Sequence, residues 1–201
     1  SPTASISPTT SPSATPTPVV KPNICSAVLV YRLGQINSEF DQNKFNREKL
    51  EPIIQYAENQ WESALEADIF KYDRRSQSVS VINFTPDTPI VIGNYYAGQL
   101  SQSRRSAFDQ NKILTEFEID IFSGVFLFIE TNPIYEGQLT KDYSLKESVI
   151  TRAVMHQMGH VLGLDYLPSG QTGIMAKNWI LTAQKPVLSP DDIRMAKELC
   201  K

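Results

Sequence analysis

The sequence predicts an α+β domain with a mixed, twisted sheet. Three observations point to it. Leu50, Ile53, Ile54, Ala57, Trp61, Ala64 and Leu65 recur at helical spacing, on one face, between segments of β-branched and aromatic character. A later helical stretch carries the only two histidines of the chain, four residues apart. A last helix is announced by Ser189-Pro190-Asp191-Asp192, a capping serine, a proline suited to the first helical position and two acids at the positive helix end.

The elements follow in chain order. Residues 1–22 are almost wholly Ser, Thr and Pro. Such a segment cannot bury enough apolar area to fold, and it reads as an extended, semi-rigid stalk or linker. The folded domain is expected over 23–201. A strand is predicted over 27–33 and a helix over 46–65, with Pro52 in its first turn, where proline is tolerated. Strands are predicted over 69–72, 79–84 and 89–92. A second helix is predicted over 99–122, charged on one side and carrying Leu100, Phe108, Ile113, Leu114 and Phe117 on the other. Residues 125–130 read as a buried strand, and 145–162 as a helix that ends before Gly163, which can supply a left-handed residue. No internal repeat is visible.

The 201 residues fit one domain plus a tail, long enough to bury a sizeable core. The net charge of −3, with no basic block, gives nucleic-acid binding no support. No apolar run is long enough to span a membrane. The N-terminal residues lack the features of a signal peptide, so a signal or anchor, where one existed, is expected to be gone. Cys25 and Cys200 sit at the two ends of the domain. The simplest reading is a disulfide clamp, which implies an oxidising compartment outside the cytoplasm. Two unrelated buried thiols, or Cys25 acting as a metal-blocking residue, are the other readings.

The chemistry lies in 154–166, Val-Met-His-Gln-Met-Gly-His-Val-Leu-Gly-Leu-Asp-Tyr. Residues i and i+4 of a helix share a face, so His156 and His160 can present two imidazoles to one metal ion. Zinc accepts neutral imidazole readily. Gly163 lets the chain turn so that a later residue supplies a third ligand.

This stretch resembles the metzincin zinc peptidases, whose pattern is His-Glu-x-x-His-x-x-Gly-x-x-His followed by a methionine turn. Gly173-Ile174-Met175 looks like that turn, with Met175 beneath the metal. Leu188 to Ile193 looks like the start of the matrixin C-terminal helix, and Trp61 sits where matrixins carry an aromatic residue. Residues 25–200 are similar to secreted bacterial matrixin-like peptidases with an extra helix, here assigned to 99–122. The resemblance implies a metzincin-like catalytic domain, a zinc cofactor and a monomer. It also implies a polypeptide substrate or ligand lying across the histidines beside an edge strand, in an extracellular or cell-surface setting.

Two positions depart from the pattern. Gln157 stands where the family has its glutamate, which takes the proton of the attacking water and passes it to the leaving amine. Glutamine holds water by a hydrogen bond but does not accept that proton. Tyr166 stands where the family has its third histidine, and Tyr166 or the neighbouring Asp165 is the candidate third ligand. Three readings follow: a zinc metalloendopeptidase of impaired activity, a pseudopeptidase that binds a peptide or protein partner, or a surface domain without metal. Among weaker candidates, Gln171, Thr172 and Asn178 read as a loop near the methionine turn, and Arg104 and Arg105 as a solvated basic pair.

Overall fold

The computed structural model describes residues 25, 27–86, 91–92, 95–96, 99–110, 113–131, 143–177 and 184–200. The predicted stalk, 1–22, lies outside them, as does Asn178. In chain order the elements are β1 (Leu29–Ile36), α1 (Ser38–Gln42), α2 (Arg47–Leu65), β2 (Phe70–Tyr72) and β3 (Val81–Thr85). They continue with β4 (Val91–Ile92), β5 (Tyr95–Tyr96), β6 (Ser101–Phe108), β7 (Leu114–Phe122), α3 (Gly124–Thr131), α4 (Tyr143–Val161) and α5 (Pro190–Leu199). The class is α+β, as predicted. A five-stranded sheet runs in the order β2-β1-β3-β7-β6, and β4 pairs with β5 separately. Strands β2, β1, β3 and β7 are parallel, and only β6, at one edge, is antiparallel to its neighbour.

Helix α2 forms where the apolar stripe predicts it. Asn46 caps it by accepting from the Lys49 amide at 3.2 Å, and the stripe from Leu50 to Ala64 is buried against the sheet and α4. Pro52 lies inside this helix, a turn later than expected, because the helix already starts at Arg47. The hydrogen bond it removes is the one to the carbonyl of Glu48, an exposed residue in the first turn, where water can take its place. Trp61 is fully buried, and its indole N–H donates to the Met155 carbonyl at 2.9 Å, tying α2 to α4.

Two predicted elements are overturned. Residues 99–122 form not an inserted helix but the hairpin of β6 and β7. On β7, Phe117, Ile119 and Ile121 are buried and alternate with Glu116, Glu118 and Asp120, a period of two that the helical reading passed over. Strand β6 has no apolar signal of its own and is set by its pairing with β7. The hairpin closes with Asp109, whose carboxylate accepts from the Ile113 amide at 2.8 Å. Residues 125–130 form not a strand but most of α3. A short continuous apolar run fits either state, and here Ser123 ends the sheet while its carbonyl accepts from the Phe126 amide at 3.0 Å. Phe126 packs at 5.0 Å, centroid to centroid, from Phe40, which in turn packs at 5.1 Å from Phe84. That aromatic group closes one end of the core.

Helix α4 crosses the sheet on the face that α2 also covers. It ends at Val161, before Gly163 as predicted, and the φ of +95° at Gly163 is one that only glycine adopts at no cost. Helix α5 begins at Ser189 with a complete capping box. Its C-terminal Cys200 is bonded to Cys25, with Cα atoms 5.5 Å apart and 175 residues between them in sequence. The predicted clamp is therefore present, and neither cysteine is left to meet a metal. Among the described residues no helix is long and apolar enough to cross a membrane.

Replacing both cysteines by serine should lower the unfolding free energy by about 2–5 kcal/mol, because the closed loop is very long. Urea unfolding of the oxidised protein and the double variant measures it.

Candidate metal centre

The centre is built on the last two turns of α4. His156 and His160, one turn apart, stand with their rings nearly perpendicular and their centroids 4.6 Å apart. His156 is buried and His160 partly so. The Nδ1 of His156 lies 2.7 Å from the Ile174 carbonyl oxygen, and the Nδ1 of His160 lies 2.8 Å from that of Leu164. A carbonyl only accepts, so both Nδ1 atoms carry hydrogen. The two Nε2 atoms then turn their lone pairs toward each other, 3.0 Å apart. Two lone pairs at that distance repel unless a cation lies between them. Burial pushes the His156 imidazole down to about 4, against the opposite pull of the Ile174 carbonyl. Two ligands of a tetrahedral zinc ion lie roughly 3.3 Å apart for bond lengths of about 2.0–2.1 Å. The donor pair fits that ion.

Tyr166 stands over both imidazoles. Its ring centroid is 5.0 Å from that of His160 and 5.5 Å from that of His156, and the residue is 49% exposed. Asp165 is exposed and lines the same cavity. Among the described residues no His, Cys, Asp or Glu joins the pair to make a group of three, so Asp165 is not gathered with the histidines. Tyr166 is the aromatic residue of the motif whose ring packs on both imidazoles.

Gln157 is buried, and its Nε2 donates to the Ser101 hydroxyl at 2.8 Å. That bond links α4 to the start of the edge strand β6. The two elements flank an open cavity of about 490 Å³, to which Gln157, His160, Tyr166, Ser101, Ser103 and Arg105 all contribute. Its lining is mostly polar.

Behind the histidines lies the turn of Gly173, Ile174 and Met175. Met175 is fully buried, and its sulfur fills the space a Cβ at Gly159 would need, so this methionine packs on α4 between the two histidine turns. The turn is held from two sides. Arg152, one helical turn before His156, donates to the Gly173 carbonyl at 3.0 Å. From α5 the buried Asp192 carboxylate accepts from the amides of Ile174 and Met175 at 2.8 and 2.9 Å, and from the amide and hydroxyl of Ser189, both at 2.8 Å. A Cβ at Gly173 would lie 2.5 Å from that carboxylate, which is why a glycine stands there.

The structure thus brings together His156, His160, Tyr166, Gln157, Gly163 and Met175, as the sequence motif implies. It adds four residues that sequence reasoning missed. Asp192 is visible in the sequence as an acid at the positive end of the last helix, but its second task depends on where the 173–175 turn lies. Arg152 had only its place on the His156 face as a signal. Ser101 and Arg105 were hidden by the helical reading of 99–122, and Arg105 is not simply half of a solvated pair. Arg104 is ion-paired with Glu118, whereas Arg105 lines the cavity. Gln171 and Thr172 form a loop before the methionine turn, as expected.

Asp192→Ala should destabilise the protein by about 3–5 kcal/mol, since four donors lose a buried charged acceptor. Denaturant unfolding checks this, and a loss under 1 kcal/mol would mean the carboxylate does not hold the turn. No protein-family model matches the sequence, and no curated protein matches it.

Proposed function

We propose that the chain is a secreted or surface-tethered, matrixin-like zinc metalloendopeptidase domain that keeps the metal-binding half of its motif and has lost much of its catalytic rate. The observation that carries this reading is the facing Nε2 pair, with both Nδ1 atoms fixed on backbone carbonyls. Such second partners orient imidazoles for a metal. The antiparallel edge strand beside α4, the buried methionine turn and the capped C-terminal helix support the family resemblance.

In this reading His156, His160 and Tyr166 hold the ion, and zinc, when bound, supplies Lewis acidity toward a peptide carbonyl and water. The domain acts as a monomer, and an extended polypeptide adds to β6 as a further strand, with its backbone over the histidines. Gln157 orients water through its amide oxygen while its N–H is held by Ser101. It does not take the proton, so general-base assistance, on the order of 10² to 10⁴ in rate, is missing.

A second reading is a pseudopeptidase that binds a peptide or protein partner without cleaving it. The bond from Gln157 to Ser101 favours it, because this residue serves to join α4 to the edge strand.

After exhaustive dialysis the purified chain should retain about one zinc per molecule by metal mass spectrometry, and His156→Ala should abolish this. Loss of all zinc from the unaltered chain would remove the metal reading altogether. With zinc retained, Gln157→Glu should raise cleavage of an unstructured protein by on the order of 10²-fold or more. Tyr166→His should tighten zinc binding. A double variant that binds zinc and still cleaves nothing would favour the pseudopeptidase.

A further inference from the structure

We infer that Arg105 makes the cleft selective for polypeptide segments that carry a carboxylate. The inference rests on the proposed polypeptide-binding reading of the same cleft. Arg104 and Arg105 are adjacent on β6 but point to opposite faces of the sheet, as neighbours in a strand do. Arg104 is neutralised by Glu118 on β7. Among the described residues the Arg105 side chain makes no ion pair and no hydrogen bond. Its guanidinium lies over the bend that follows His160, since a Cβ at Gly163 would be 3.3 Å from its Nη1. The absence of a side chain there leaves the guanidinium lying against the bend of the cleft.

The surroundings suit an anionic group. Ser103, two residues before Arg105 and on the same side of the strand, lines the same cavity and adds a hydroxyl donor. Among the described residues Asp165 is the one carboxylate in the lining, and it does not pair with Arg105. A guanidinium offers two parallel N–H donors matched to a carboxylate, so a segment lying along β6 gains its contact when an acidic group reaches Arg105. The carboxylate comes either from an acidic side chain or from a free chain end. Because Arg105 is exposed, the gain is modest and sensitive to salt.

Three dye-labelled probes test this on the full chain, incubated with zinc and then dialysed, by fluorescence anisotropy at low ionic strength. They are an amidated Ala-Ala-Gln-Ala-Ala peptide, the same peptide with Glu for Gln, and the Gln peptide with a free C-terminal carboxylate. The protein should bind at least one carboxylate probe about 3- to 10-fold more tightly than the neutral one, and which probe gains identifies the source. Arg105→Gln should erase the preference, Arg105→Lys should keep part of it, and Arg104→Gln should leave it intact. Equal binding of the three probes, binding of none, or a preference that survives Arg105→Gln overturns the inference. Zinc content measured on the same samples separates the two readings. Retained zinc without preference sinks this inference alone, and preference without zinc sinks the metal reading alone.

Discussion

The candidate centre depends on a carboxylate that never reaches it. Asp192 is completely buried, and its charge is tolerable only because four donors converge on it. Two of those donors are the amides of Ile174 and Met175, so the acid that starts α5 also fixes the turn beneath α4. The carbonyl of Ile174, thereby fixed in direction, receives the Nδ1–H of His156. A chain of hydrogen bonds thus runs from a helix cap, through a loop backbone, to an imidazole. The disulfide between Cys25 and Cys200 closes the far end of α5 and keeps that helix against the domain. Stability and site geometry share the same bonds, so a change that loosens α5 is felt at His156.

The legible part of this arrangement was local. The i, i+4 histidines, Gly163, the serine cap of α5 and the stripe on α2 are each signalled within a few residues of sequence, and each appears where its signal lies. The illegible part was pairing. Strand β6, Ser-Gln-Ser-Arg-Arg-Ser-Ala-Phe, has almost no intrinsic strand character. It is a strand because β7 offers it an open edge. Read alone, its charges joined the apolar residues of 113–117 into a false helical face. The alternation on β7 was the available correction, and the longer window drowned it. The apolar run after Gly124 failed for the opposite reason, as too short and too uniform to reveal a period. Once β6 was misread, Ser101 and Arg105 had no place at the site.

The two departures from the peptidase pattern differ in physical character. Gln157 is buried, and its amide needs a partner there, which the Ser101 hydroxyl provides as acceptor. A hydroxyl also donates, so a carboxylate in the same position would find the same partner with the roles reversed. The hydrogen bond to Ser101 is therefore kept with either residue at 157, while a carboxylate there adds a buried charge and a proton acceptor. Tyr166 is different. It is half exposed and packs edge-on or tilted against both imidazoles. Its oxygen stands further from its backbone than an imidazole nitrogen does. The departure at 166 is thus one of side-chain shape, whereas the one at 157 is one of charge and proton chemistry.

Edge strands are exposed to unwanted pairing, and β6 is managed by its charges. On the outer face Gln102 donates to Asp120 at 2.9 Å and Arg104 pairs with Glu118, so these side chains belong to the sheet. On the inner face Ser101 is taken by Gln157, while Ser103 and Arg105 border the cleft. Polar side chains on both faces discourage a second sheet from stacking there, and an uncompensated arginine discourages basic strands in particular. The same residues leave the backbone edge open to an extended chain of suitable charge. A strand with little apolar signal thereby joins three tasks: it ends the sheet, it anchors α4 through one serine, and it borders the space beside the two histidines.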